Sequence, residues 1–248
     1  MNWVTRSLHA AWGLLAWLSF FLAVLFTMLV ALLVPGMHRR QHLAAVACKG
    51  VFMLAGVNVT VRGRANLPDG HCIVVANHAS YIDGVLLKGY LPGRFSFVIK
   101  GEMRNFGPAH FLLRRSGAKF VERSEASGST RDARQIVRAA QDGESLAVFP
   151  EGTFEEQPGV GRFRPGAFAA AVRGKLPVVP IAISGTRQML PSGRLLPRPS
   201  RLTVDILPAI LPDDPDFEHR RTLAEAARQR ILAVLDEPDL LESTPGVV

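Results

Sequence analysis

From Ala10 to Val34 the chain carries no charged residue, and Leu14–Phe26 and Leu29–Val34 are almost wholly apolar. About 20 apolar residues cross a bilayer as a helix, so the run is long enough to span one. It is too long for the apolar core of a signal peptide and lacks a small-x-small exit before Pro35, which favours a retained anchor over a cleaved leader. A weaker apolar stretch, Leu43–Val57, contains Lys49 and Gly50 and is too short to cross. It predicts a helix at the interface, or one packed back on the first as a re-entrant hairpin. Residues 1–57 therefore read as an anchoring unit and residues 58–248 as a second, folded unit.

Beyond the anchor the pattern changes to short apolar runs separated by turns and amphipathic segments. Asn58–Arg62 alternates like a strand, Asn66-Leu67-Pro68-Asp69-Gly70 is a turn, and Ile73–Ala76 is a continuous apolar run of the buried-strand kind. Ile82–Leu91 predicts a helix closed by Pro92-Gly93. Arg94–Lys100 follows as a strand, Phe106–Leu113 as a short helix and Ala118–Glu122 as another strand. Arg131–Gln141 predicts a helix with Ile136, Val137 and Ala140 on one face, Ser145–Phe149 a buried strand and Gly166–Val172 a short helix. Pro177–Ser184 and Leu202–Leu207 are strand-like, Pro215–Leu235 a long amphipathic helix, and the tail from Glu242 frays. Strands alternating with helices predict an α/β fold: a largely parallel mixed sheet flanked by helices, preceded by a hydrophobic anchoring helix or helical hairpin.

Charge adds a partner class. The 248 residues carry a formal charge of +8, and 48% of them are hydrophobic. Arginines and lysines gather after the anchor, from Arg62 through Lys100 and Arg123 to Arg138, a surface suited to anionic lipid headgroups or a phosphate-bearing substrate. No helix-turn-helix, zinc-finger or RNA-binding pattern accompanies that charge, so nucleic acid is not an expected partner. Arg39, Arg40 and Lys49 follow the apolar run, which places the folded unit on the cytoplasmic side. Cys48 and Cys72 have no metal-ligand spacing and fit packing in a reducing compartment.

The candidate chemistry starts at Asn77-His78, which breaks the Ile73 strand and puts an imidazole at its carboxyl end, where open α/β sheets bind ligands. Asp83 lies five residues on. An offset of five turns two helical side chains about 140° apart, so a His78–Asp83 contact requires a turn between them. A carboxylate on one imidazole nitrogen fixes the tautomer and lets the other accept a proton from a hydroxyl near pH 7. The plainer alternative, a loop histidine beside a helix-capping Asn77 or Asp83, is favoured by spacing alone. Phe149-Pro150-Glu151-Gly152-Thr153 brings a carboxylate to another strand end, and a solvated turn explains it equally well. Arg123 stands at a strand exit with a guanidinium suited to phosphate. Pro180, inside Val179-Pro180-Ile181, implies an edge strand or a bulge, with or without a ligand contact.

Taken in order, four stretches resemble the lysophospholipid acyltransferase family typified by the 1-acyl-glycerol-3-phosphate acyltransferases. They are Asn77-His78-x4-Asp83, Gly117-x2-Phe120-x2-Arg123, Phe149-Pro150-Glu151-Gly152-Thr153 and Val179-Pro180-Ile181, and the likeness runs from about Val59 to Leu207. The resemblance implies transfer of a fatty acyl group from acyl-CoA or acyl carrier protein to the hydroxyl of a lysophospholipid, most simply 1-acyl-sn-glycerol-3-phosphate. It makes His78 the base and Asp83 its orienting carboxylate. Asn77, Arg123, Glu151, Gly152, Thr153 and Pro180 become substrate-side residues, with Lys100 a weaker candidate for the anionic pocket. It calls for no metal, no cofactor beyond the thioester co-substrate and no covalent intermediate. Arginine and alanine richness points to a bacterial source and, with the anchor, to the inner membrane as the expected location. Phe154-Glu155-Glu156 and the glycine-containing loop that follows depart from the family's usual small or basic residues there, which bears on headgroup preference. Other readings are acylation of a different lyso-lipid such as lyso-ornithine lipid, a lipid hydrolase (although no Gly-x-Ser-x-Gly elbow is present), and a silent scaffold on acidic lipid.

Overall fold

The computed structural model describes residues 3–121, 136–139, 141–153 and 157–242. It opens on a helical hairpin, α1 (Trp3–Leu33) and α2 (Met37–Leu54), and continues through β1 (Val59–Arg62), β2 (Ile73–Ala76), α3 (Asp83–Tyr90) and β3 (Ser96–Lys100). Then come α4 (Gly107–Arg115), β4 (Lys119–Val121), β5 (Leu146–Val148), α5 (Gly166–Gly174) and β6 (Val178–Ser184). The described chain closes with α6 (Thr186–Met189), β7 (Leu202–Ile206) and α7 (Arg220–Leu232). Among the described residues seven strands form one sheet in the order β1-β7-β6-β2-β5-β3-β4. Every neighbouring pair is parallel except β6 with β7. The carboxyl ends of β6, β2, β5, β3 and β4 therefore share one edge, and the loops leaving them can meet there.

Both faces of the sheet are covered, which is why β2 and β5 read as unbroken apolar runs. On one face Ile73, Val75, Leu146, Val148 and Val178 pack against Phe168 of α5 and Leu223, Ala227 and Ile231 of α7, with Ile136, Val137 and Ala139 beside them. On the other, Val74, Ala147, Val179 and Ile181 meet Leu86 and Leu87 of α3 and Val51 and Phe52 of α2. α2 packs back on α1. Trp12 Nε1 of α1 donates to the Ala55 carbonyl at 2.9 Å beyond the end of α2, and α2 in turn joins the sheet's core.

The outer face of α1 is a different matter. Leu14, Leu18, Phe21, Leu22, Leu25, Leu29 and Leu32 are all exposed, at the spacing of one helical stripe. Among the described residues α1 is the one helix long and apolar enough to cross a membrane. Its inner side is docked: Trp17 Nε1 donates to Leu195 O at 2.8 Å. A Cβ on Gly13 would come within 2.6 Å of Leu196 and 2.8 Å of the Pro197 carbonyl oxygen, so glycine permits that close approach.

Two expectations change. Pro180 is not on an edge strand, because β6 lies between β2 and β7. Its carbonyl accepts from Leu207 N at 2.9 Å, so its nitrogen also faces that side, where β7 has already ended at Ile206. Pairing then resumes at Val178 with Ile210, three residues beyond Leu207 against two on β6. That bulge in the opposing segment absorbs the missing N–H. Nor is Pro215–Leu235 one helix. Pro215–Phe217 is a 3-10 turn anchored by buried Phe217, and α7 begins at Arg220 after an extended His219.

Between the hairpin and α3 lies a half-buried cation, Lys88. Its Nζ lies 3.5 Å from Phe95 O and 5.7 Å from the Phe97 ring centroid. Burial pushes the ammonium down to about 8 from 10.5, against an opposing contribution from neighbouring Cys48. A lowered lysine means that the native state holds fewer protons than the unfolded chain, so the penalty is full below pH 8 and fades as pH rises to 10.5. Lys88→Met should therefore melt a few degrees higher than the parent at pH 7. The gap should close between pH 8 and 10.5 when both are scanned in the same detergent; a gap that does not vary with pH would contradict the burial penalty.

Candidate active site

The site begins where β2 runs out. Asn77 extends the β2–β6 ladder with its side chain: Nδ2 donates to Ile183 O at 3.0 Å and Oδ1 accepts from Ile183 N at 2.7 Å. This buried amide is committed to backbone, so Asn77 belongs to the scaffold and not among the substrate contacts expected of it. The chain then curls around one carboxylate. Asp83 Oδ2, at the first residue of α3, accepts from Ala79 N at 2.7 Å, from Ser80 N at 2.8 Å and from His78 Nδ1 at 2.9 Å. Ser80 Oγ ties the same turn to Leu190 O at 2.6 Å.

The five-residue offset works because residues 79–82 are a turn and not helix. Asp83 is fully buried, whereas the His78 side chain keeps 18% of its surface, so the imidazole alone is reachable. Its ring stacks on Phe149, centroids 4.4 Å apart and planes 22° apart. With Nδ1 donating to Asp83, the lone pair of the neutral ring falls on Nε2. Asp83 Oδ1 is buried with no hydrogen-bond partner among the described residues.

Glu151, after β5, faces inward. Oε1 accepts from the His78 backbone N–H at 2.7 Å and Oε2 from Gly161 N–H at 2.9 Å. Burial raises its carboxyl above the ordinary range, while those two N–H donors and the nearby His78 pull it back. A carboxylate with both oxygens engaged by backbone shapes the loop that carries the base; it does not sit solvated in a turn. Gly152 makes this possible, since its φ of +89° is left-handed and its N–H returns to Phe149 O at 3.1 Å.

The remaining expected residues scatter. Thr153 is exposed. Lys100 ends β3 on the same sheet edge, but β5 lies between β3 and β2, and its half-exposed ammonium is paired with Glu102. Pro180 is buried in β6 opposite Val75, within the sheet and away from the edge that carries His78. Arg123 lies outside the described residues. Among the described residues no group of three His, Cys, Asp or Glu side chains gathers as metal ligands. Two contributors escaped sequence reasoning, the Phe149 ring and the Gly161 N–H. The adjacency of β2 and β5 brings the Phe149 ring to His78, and the loop at 159–161 brings the Gly161 N–H to Glu151.

Beside this turn an apolar cleft of about 130 Å³ opens between the hairpin and α3. Tyr81, Ile82 and Val85, which follow the turn in sequence, line it together with Trp12, Phe20 and Phe52.

Several known proteins resemble the chain. A 1-acyl-sn-glycerol-3-phosphate acyltransferase of Chlamydomonas reinhardtii is 29% identical over 94% of this chain and 70% of its own length. The alpha enzyme of the same name from Bos taurus is 28% identical over 74% of this chain, which spans 65% of that relative. The crystal structure of the 1-acyl-sn-glycerophosphate (LPA) acyltransferase PlsC from Thermotoga maritima superposes with a TM-score of 0.74 at 22% identity, covering 97% of this chain and 99% of its own, and so shares the fold. The Acyltransferase family model matches residues 58–184, just over half the chain and the whole span from β1 to the end of β6. That span includes the His78–Asp83 turn and the Glu151 bridge, and the chain belongs to the acyltransferase family.

Proposed function

We propose that the protein transfers a fatty acyl group from an acyl thioester, acyl-CoA or acyl carrier protein, to the free hydroxyl of 1-acyl-sn-glycerol-3-phosphate, giving phosphatidic acid. The observation that carries this reading is the buried Asp83 carboxylate holding a reachable His78, on a turn whose next residues, Tyr81 and Ile82, line an apolar cleft. The names of the relatives supply the acceptor. His78 Nε2 takes the hydroxyl proton as the oxygen attacks the thioester carbonyl. The carbon–sulfur bond then breaks, and the imidazolium returns its proton to the departing thiolate. Asp83 stabilises the imidazolium throughout. The cleft accommodates an alkyl chain, and Arg123 takes the acceptor's phosphate by the paired geometry of a guanidinium.

In this reading residues 1–57 anchor the enzyme and residues 58–248 carry the chemistry. The exposed leucine and phenylalanine stripe of α1 lies in the membrane of a bacterial cell, the catalytic unit on its cytoplasmic side. Anionic lipids meet the basic surface.

Purified His78→Ala should lose about 10²- to 10⁴-fold in acyl transfer while its melting curve stays that of the parent. Asp83→Asn should lose activity comparably, since it weakens support for the imidazolium. Near-parental rates in His78→Ala, measured by thiol release from the thioester, would remove the base from the mechanism. The same assay run with and without the lysophospholipid separates the alternatives: release only with acceptor supports acyl transfer, release without it a hydrolase, and no release a scaffold. Replacing Arg123 with Ala should raise the acceptor KM about tenfold with little change in kcat, as loss of binding common to ground and transition states requires. An unchanged acceptor KM would refute the phosphate assignment.

A further inference from the structure

Residues 236–241, the buried Arg228 and the part-buried Arg187 form a strap on the active site, although all of them lie beyond the matched span of 58–184. The strap runs beside the glycine loop: Val160 N donates to Pro238 O at 3.0 Å and Leu240 N to Val160 O at 3.3 Å. Glu237 accepts from Gly159 N at 3.0 Å and pairs with Arg187 of α6 at 3.1 Å. Gly159, at φ +140°, has no room for a Cβ, which would lie 2.6 Å from Leu240 and 2.8 Å from Pro238 O. The Arg228 side chain of α7 is 1% exposed. It donates through Nε to Gly161 O at 2.9 Å and through Nη2 to Val160 O at 3.4 Å, and it is paired with Asp239. Apart from the Glu237–Arg187 and Arg228–Asp239 ion pairs, these contacts end on residues 159–161, and Gly161 N–H is one of the two donors that hold Glu151.

We propose that Arg228 and the C-terminal strap are positioning elements of the active site, acting on the His78 backbone through Gly161 and Glu151. The route is continuous: Arg228 fixes the Gly161 carbonyl, Gly161 N–H fixes Glu151 Oε2, and Glu151 Oε1 fixes His78 N–H. The buried guanidinium makes the loop's place all-or-none, because a displaced loop leaves a desolvated charge without its carbonyls. Loss of the Gly161 donor also favours the protonated form of Glu151. Its remaining bond to His78 N–H weakens with it, and the base drifts from its register over the thioester.

The kinetic half of this inference rests on the acyl-transfer reading; the structural half does not. The test is Arg228→Lys in the full chain, which retains a cation for Asp239 but not the fork that spans Gly161 and Val160. Amide hydrogen exchange followed by mass spectrometry should show peptides covering 157–163 and 77–82 both exchanging about tenfold faster, with 178–184 unchanged. In parallel kcat should fall about tenfold and the acceptor KM stay within about twofold. Exchange at 77–82 that matches the parent would overturn the inference, and so would an unaltered kcat in an active preparation. If the parent protein proves to transfer no acyl group, the acyltransferase proposal fails, and the exchange data still decide whether the relay reaches His78. Should Arg228→Lys not fold, Glu237→Gln releases the strap at Gly159 and Arg187 and is read by the same two measurements.

Discussion

The active end of this molecule depends on a carboxylate that never reaches solvent. Asp83 Oδ2 accepts two backbone N–H groups and one imidazole nitrogen within 2.9 Å, and those bonds replace the hydration it gives up on burial. The turn at residues 79–82 exists to wrap that oxygen, and α3 can start only once it has done so. The carboxylate therefore organises the backbone and orients the base at the same time.

A second carboxylate divides its work differently. Glu151 bridges two loops from adjacent parallel strands and holds the backbone of His78, while Phe149 holds the ring. Ring and backbone are thus fixed by neighbouring residues of one strand exit. A parallel sheet makes such sharing natural, because consecutive carboxyl ends open on the same edge. Burial works against the charge on Glu151, and donated N–H groups restore it. The position is one where a glutamate is retained at some energetic cost for the sake of geometry.

The hairpin links this chemistry to an apolar phase. α1 offers its outer stripe to the surroundings and its inner side to the catalytic unit, and α2 carries Val51 and Phe52 into the sheet's core. The cleft lies between those two roles, walled by α1 and α2 and floored by the residues after His78. An alkyl chain passing from bilayer to base would stay in apolar contact along that route, as the hydrophobic effect favours.

Much of this was legible in the linear chain. Ile73–Ala76 and Ser145–Phe149 announced buried strands, because a strand covered on both faces has no polar alternation to confuse it. The offset of His78 and Asp83 showed only that a contact needs a turn between them; it was the run of four motifs that favoured the pairing over a plain helix cap. The apolar run from Ala10 to Val34 fixed a helix by length, and the four motifs fixed the family. Long-range pairing is what the chain could not announce. Asn77 was expected at the substrate and proved to be bound to Ile183, 106 positions away. Pro180 implied an edge strand or a bulge, and only the strand order decided for the bulge, in the segment facing it. Arg228 carries a charge within the stretch expected to be an amphipathic helix, yet it is fully buried against residues 160–161. Local patterns record which face a residue turns inward, since periodicity follows from backbone geometry. What it meets there depends on strand order and packing, and those are settled only when distant segments close on one another.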